Sequence, residues 1–522
     1  MGLWSAYFLA KLALYAGGYI AFDPWLNLAL AIFTSLPPGN ARQRLAKNLI
    51  AVPAAVLLLY HDSPIPPLTQ ALTQLQNLSQ FSAAYLWELT GRVVSWKLLL
   101  ELATLLAIYS LARRKLRLST FVFLGILAVI LAPEARLLTA MTLRPAVGAT
   151  AGATPEDVDL VPAALDERLA RFYSEQKKVH VPFARPAPED PPFDILILHV
   201  CSLSWDDLRT LQLAPDTIFG HFDLVLTNFN SAASYSGPAA IRLLRGTCGQ
   251  TQEARLYDPP ADGCLVMDGL QNAGFEPHWV MNHDGHFGNF FGDVRIRGGL
   301  GAPLEDNSGA TTAQLAFDGT PVYDDYSVLS RWWAKRQANR APRVALYYNT
   351  ISLHDGNRVT GSGRTDSAYG ARLATLDNDI TRFLDLVRAS GRNVIVVLIA
   401  EHGAALGGDR RQIQGLREIP TSAIAHVPVA IALINAARPT AATQVKLDAP
   451  ASYAALNELL SRFISNDPFA KPLASLDAYL GALPQAEFVA ENNATTVMQA
   501  GTHYMMRSPD GAWSSLDGID RR

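Results

Sequence analysis

Three cysteines in 522 residues are too few for a disulfide-knit scaffold or for a four-cysteine zinc module. Charge is sparse too: 17% of residues are Asp, Glu, Lys or Arg, and 44 basic against 47 acidic side chains leave a net of −3. Without a basic excess the chain lacks the electrostatic footprint of a nucleic-acid binder. There is no internal repeat and no low-complexity tract. With 49% hydrophobic residues, disorder is excluded and a large core is available. The scarcest feature is local. Residues 1–132 carry 4 acidic and 10 basic side chains, whereas the other 390 carry 43 and 34. An apolar, positively biased first quarter on an acidic remainder excludes a simple cytosolic enzyme and predicts a membrane-anchored globular protein.

Five apolar stretches precede residue 133: 6–22, 25–36, 45–60, 96–112 and 118–132. Each is shorter than the ~20 residues of an untilted span, and 25–36 also reads as a buried or re-entrant helix. Arg42, Arg44 and Lys47 lie between the second and third stretches; Arg113, Arg114, Lys115 and Arg117 lie between the fourth and fifth. Keeping both clusters in the cytoplasm favours five spans, an inside N-terminus and an exported C-terminal region. A cleaved signal peptide does not fit, because further spans follow at once. Residues 63–96 then form a loop on the exported side. Phe81, Tyr85, Leu89 and Trp96 give it an amphipathic edge that lies at the interface or packs against the spans.

Residues 133–190 read as a connector. It is rich in Ala, Thr and Pro, with one helix near 162–178 that carries Leu165, Leu169 and Phe172 on one face. The proline-rich "PFARPAPEDPPF" marks the edge of a globular domain, 191–522. There, β-branched runs at 195–200, 224–228, 278–282, 344–349 and 393–400 alternate with helical segments. Runs that are apolar throughout predict a mostly parallel sheet covered on both faces, an α/β/α domain. In such sheets the chemistry gathers beyond the carboxyl ends of the strands.

Four of those ends carry reactive groups. Cys201 follows "DILILHV"; Tyr235 and Ser236 precede Pro238 and a helix; His354 follows "ALYYNTISL"; Glu401 and His402 follow "NVIVVLIA". Singly each has an ordinary reading: a small buried hydrophobe for Cys201, a surface turn for Glu401–His402, a plain N-cap for Ser236. Together they point to metal-assisted nucleophilic substitution. Thiolate, carboxylate and imidazole are good Zn²⁺ ligands. A serine at a helix start meets free N–H groups that favour an incoming phosphate, and metal coordination would lower its pKa.

Cys248 and Cys264 flank a turn-rich loop and are expected to oxidise to a disulfide in an exported domain. Cys201 is then the odd thiol, metal-bound or deeply buried. Arg417, 15 positions after His402, either clamps phosphate oxygens or pairs with Glu418 or Asp409. His426 reads as a core histidine or a second-site ligand. His278, His283 and His286 suggest a substrate-contacting loop.

The segments "LHVCSLSWDDL", "NFNSAASYSGPA", "TCGQ", "SLHDGNR" and "AEHGAALGGDRRQIQGLREIPT" resemble the bacterial cellulose phosphoethanolamine transferases of the alkaline phosphatase-like superfamily. The resemblance covers nearly the whole chain. It implies an alkaline phosphatase-like domain behind a multi-span helical membrane domain. It further implies one Zn²⁺ held by Cys201, Glu401 and His402, with Ser236 as nucleophile completing the shell. Tyr235, His354 and Arg417 would handle the phosphoryl group and its oxygens, and Cys248–Cys264 matches the family disulfide. The implied donor is phosphatidylethanolamine and the acceptor nascent cellulose, beside a cellulose synthase complex. The implied location is the bacterial inner membrane, multi-pass, with the catalytic domain in the periplasm. The rival readings are the same chemistry with lipid A as acceptor or a glycerol-phosphate donor, and a non-catalytic scaffold subunit.

Overall fold

The computed structural model describes residues 4–17, 20, 22–63, 81–93, 100, 104, 107, 109–112, 116–142, 160–360, 369–409, 411–437, 443–473 and 475–516. The chain divides into two compact units, Met1–Leu75 with Leu86–Gly152, and Gln76–Tyr85 with Ala153–Arg522.

The first unit contains the helices Trp4–Ala16, Pro24–Ser35, Ala41–Asp62 and Leu118–Thr142. Their shared core includes Phe8, Leu30, Ala55, Leu58, Val122 and Ile126. Among the described residues one helix, Ala41–Asp62, is long and apolar enough to cross a membrane; Pro24–Ser35 and Leu118–Leu131 are shorter apolar helices. Of the five expected spans, 6–22 is helical only as far as Ala16. The stretch 25–36 makes a helix of 12 residues, capped by the Asp23 carboxylate. The stretch 96–112 falls largely outside the described residues, as do Arg113, Arg114 and Lys115. Inside this unit Lys11 Nζ meets Asp62 Oδ2 at 2.6 Å and Asn27 Oδ1 at 2.8 Å. Both charges are buried, so each needs the other to offset its desolvation.

The second unit is built on strands β1 (Phe193–Val200), β2 (Leu224–Asn230), β3 (Glu276–Met281), β4 (Thr312–Leu315), β5 (Pro321–Tyr323), β6 (Val344–Thr350) and β7 (Arg358–Val359). They continue with β8 (Asn393–Ala400), β9 (His426–Ile434), β10 (Val445–Leu447), β11 (Val489–Asn492), β12 (Thr495–Ala500), β13 (His503–Arg507) and β14 (Trp513–Ser515). The main sheet runs β10-β2-β9-β8-β1-β6-β3. β1 is parallel to β6 and β8, and β3 to β6; β9 alone runs against its neighbours β2 and β8. All five expected strands are present, and the sheet is mostly parallel with one reversed member. β1 and β6 are buried at every position, which requires cover on both faces. At the amino end of β1, the buried Asp194 accepts hydrogen bonds from Arg336 and Arg392, so that edge is closed by structure. The opposite edge is left for chemistry.

The helix expected near 162–178 spans Pro162–Gln176. It belongs to the second unit rather than to a free connector. Leu165, Phe172 and Tyr173 bury against Val489, Met498 and Met505 of the antiparallel sheet β11-β12-β13-β14.

Candidate active site

Two neighbouring strands deliver the three candidate ligands. β1 ends at Val200 and β8 at Ala400, in register with one another, so Cys201 and Glu401 leave the sheet side by side. Potential ligand atoms of Cys201, Glu401 and His402 all lie within 4.8 Å of one another, and all three residues are fully buried. Ser236 opens the helix Ser236–Leu244, with Tyr235 as its extended N-cap residue and Pro238 in the first turn. Pro tolerates that position because its missing N–H would have no partner there. Ser236 Oγ stands 3.4 Å from Cys201 Sγ and 3.3 Å from His402 Nε2.

The electrostatics of this cluster ask for a cation. Burial, then the Glu401 charge, pushes the Cys201 thiol up to about 12. Burial also raises Glu401, and burial with Arg417 nearby holds His402 well below the usual imidazole range. Glu401 Oε2 is buried without a hydrogen-bond partner. Sinking a carboxylate and a thiol together is costly unless a metal resolves both, and the donor set of one thiolate, one carboxylate and one imidazole fits Zn²⁺. Neighbouring groups hold the ligands in orientation. His402 Nδ1 donates to the Gly403 carbonyl at 2.9 Å, which leaves Nε2 as the lone-pair nitrogen. Asn349, near the end of β6, donates to Glu401 Oε1 at 2.6 Å and accepts from His283 Nε2 at 2.8 Å.

The loops around the cluster are strained in the same way. Ser202, Ala232 and Ala405 all adopt positive φ, at 62°, 57° and 56°. Such conformations persist in non-glycine residues only where the surroundings impose them. Asp207 is part of that imposition. Its carboxylate caps the helix Trp205–Thr210 through Ser204 and also accepts from the N–H groups of Ala404 and Leu406. It ties the loop after β1 to the loop after β8.

Beside Ser236 lies a cavity of about 250 Å³ lined by Tyr235, His354, Arg417 and His283, among others. Arg417 is 6% exposed. It makes no ion pair with Glu418 or Asp409 among the described residues. Instead it donates to Ser202 Oγ at 3.2 Å and lies 5.1 Å from the centre of the Tyr235 ring. Its Nε–H is buried and has no hydrogen-bond partner among the described residues. The Tyr235 hydroxyl donates to Glu418 Oε1 at 2.8 Å. His354 Nδ1 donates to the Asp355 carbonyl at 2.7 Å, and burial with the Arg417 charge lowers the imidazole to about 4. The ring is therefore neutral near pH 7, which suits a proton acceptor better than a proton donor.

Of the remaining histidines, only His283 reaches the cavity. His278 pairs with Glu305 and Glu276 on β3, and the exposed His286 does not line it. His426 packs edge-on against Phe488, 4.7 Å between ring centres, and is not in the ligand cluster. Cys248 and Cys264 are disulfide-bonded, and Cys201 is the free, buried cysteine. Sequence reasoning passed over Asn349 and Asp207, and it weighed Glu418 only as a partner of Arg417, whereas Glu418 accepts from Tyr235. For Asp207 a signal existed, since "SWDD" is an N-cap serine with an acidic residue three positions on. Asn349 sits inside an apolar strand, where nothing local marks it.

The chain matches the family described as cellulose biosynthesis protein BcsG, by its C-terminal domain over residues 150–513 and its N-terminal domain over residues 4–131. It is 35% identical to the cellulose biosynthesis protein BcsG of Salmonella typhimurium, over 98% of this chain and 95% of that protein. The Escherichia coli protein of the same name gives the same identity and the same coverage. Among solved structures, a protein in the alkaline phosphatase superfamily from Vibrio parahaemolyticus aligns with a TM-score of 0.49 and 14% identity, covering 67% of this chain and 87% of that one. The chain belongs to the BcsG family of cellulose biosynthesis proteins.

Proposed function

We propose that this chain is a zinc-dependent phosphoethanolamine transferase. It moves the group from phosphatidylethanolamine to hydroxyls of nascent cellulose through a covalent intermediate on Ser236. The observation that carries this reading is the place of Ser236 Oγ. It lies at a helix start, within 3.4 Å of both a thiol and an imidazole nitrogen that, with Glu401, make a buried ligand set. When bound there, Zn²⁺ supplies Lewis acidity that favours the serine alkoxide and offsets charge on the phosphoryl group.

The chain's own residues do the rest. Ser236 Oγ forms a bond to phosphorus, the bond to the diacylglycerol oxygen breaks, and the serine proton ends on diacylglycerol. Arg417 and the N–H groups of the first helical turn bind the phosphoryl oxygens. In the second half a sugar hydroxyl attacks phosphorus, neutral His354 accepts its proton, and Ser236 leaves and is reprotonated. The hydrophobic first unit supports a multi-pass inner-membrane protein with a periplasmic catalytic unit, close to its lipid donor and to a cellulose synthase complex. A direct test offers the full-length enzyme phosphatidylethanolamine with either a cello-oligosaccharide or lipid A. Modified oligosaccharide is the expected product, and modification of lipid A alone would replace the acceptor in this reading.

A further inference from the structure

The lining of the cavity beside Ser236 carries charge of both signs. The positive group is Arg417, more than nine-tenths buried, with a buried Nε–H that no group among the described residues satisfies. That donor points to an anionic ligand. The same cavity is also lined by three carboxylates, Asp284, Asp293 and Asp318, which a simple phosphate anion would find repulsive. Two of them serve the local backbone: Asp284 accepts from the His286 N–H, and Asp318 from the N–H and hydroxyl of Thr320. Asp293 is different. It is half-buried, and its carboxylate has no hydrogen bond or direct ion pair among the described residues; burial raises it, and the Arg297 charge acts on it only from a distance. Its Oδ2 lies 3.7 Å from where a Cβ would stand on Gly237, the residue after Ser236. A carboxylate without a direct partner thus approaches the backbone of the residue that follows the nucleophile, and both residues line the one cavity. Tyr257, whose phenol feels the Asp293 charge, lines the same cavity and offers an aromatic surface to a cation.

We propose that Asp293, with Asp284 and Asp318 at the rim, is the subsite that recognises the ammonium of the donor's head group while Arg417 takes its phosphate. This inference rests on the transferase reading above and adds what selects the donor. A phosphodiester that also carries a primary ammonium offers a charge to each group. A glycerol-type head group satisfies Arg417 and leaves Asp293 with no direct ion-pair partner.

The test uses the full-length enzyme in detergent with two chromogenic diesters, p-nitrophenyl phosphoethanolamine and the analogue carrying a hydroxyl in place of the ammonium. For the unmodified enzyme the ammonium donor is expected to have the higher kcat/KM by at least ~10-fold, as a charge-assisted contact implies. In Asp293→Asn that ratio should fall toward one, mainly through KM for the ammonium donor, and Asp293→Glu should recover part of it. A variant that is merely less well folded lowers both rates together and leaves the ratio alone. An unchanged ratio in Asp293→Asn, or no preference in the unmodified enzyme, would overturn the subsite. Failure of the unmodified enzyme to cleave either diester would instead remove the transferase reading, and the subsite with it.

Discussion

A thiol that ends a fully buried strand ordinarily only fills space; at Cys201 a carboxylate and an imidazole arrive within ligand reach. Cys201→Ala should therefore cost metal rather than packing. About one zinc per chain is expected in the unmodified protein, and most of it should be lost in that variant, as measured by elemental analysis after gel filtration. Full retention would put the metal elsewhere. His354 carries a second prediction. Lowered to about 4 by burial and Arg417, it stays in its neutral, proton-accepting form throughout the near-neutral range. The acceptor half-reaction should then show no bend between about pH 5 and pH 7.5, whereas an unshifted imidazole would bend it near about pH 6.5. A base active when deprotonated loses rate as pH falls through its pKa, so the limb belongs near 4. A bend near 6.5 would contradict the role given to this residue. At this scale the clustering of Cys201, Ser236, Glu401 and His402 was legible, because they follow apolar runs whose carboxyl ends are where α/β sheets place their chemistry. The lowering of His354 was not, since it depends first on burial and then on the charge of Arg417, 63 positions away in sequence and brought near only by folding.

Between elements, Asp207 joins the loops that carry Cys201 and His402. Asp207→Ala removes a helix cap and leaves the N–H groups of Ala404 and Leu406 unsatisfied. The expected loss is on the order of 2–4 kcal/mol in urea unfolding of the second unit, accompanied by weaker zinc retention. A change below about 0.5 kcal/mol would mean the loops are held by other contacts. The same scale shows where sequence reading stopped. The five runs from 195 to 400 became strands as expected, but strand direction is not written in composition. The run "HVPVAIALI" became β9, reversed between β2 and β8, a placement set by pairing partners distant in sequence. The strands β11–β14 escaped notice because they are only three to six residues long, and none shows a clean alternation of buried and exposed positions.

For the whole molecule, the positive bias of the first quarter predicts orientation. A reporter active only in the periplasm should work when fused after Arg522 and fail near Arg44. Activity at Arg44 would overturn the five-span arrangement. The compartment has a covalent consequence too. Alkylating unfolded, metal-stripped protein without reductant should label Cys201 alone, since Cys248 and Cys264 are joined. The first unit was the less legible one. Its apolar stretches are short, and an apolar helix of 12 residues satisfies burial inside a unit as readily as insertion in lipid.

The most direct measurement is the intact mass of Ser236-containing peptide after exposure of His354→Ala protein to phosphatidylethanolamine without acceptor. That background slows release of the group and favours its capture. One phosphoethanolamine on Ser236 is expected, cleared when the unmodified enzyme is given a cello-oligosaccharide, while Ser236→Ala loses transfer by at least ~10³-fold. A Ser236→Ala enzyme that still modifies cellulose at near-normal rate, with no adduct on Ser236 in the trapping background, would contradict the covalent mechanism.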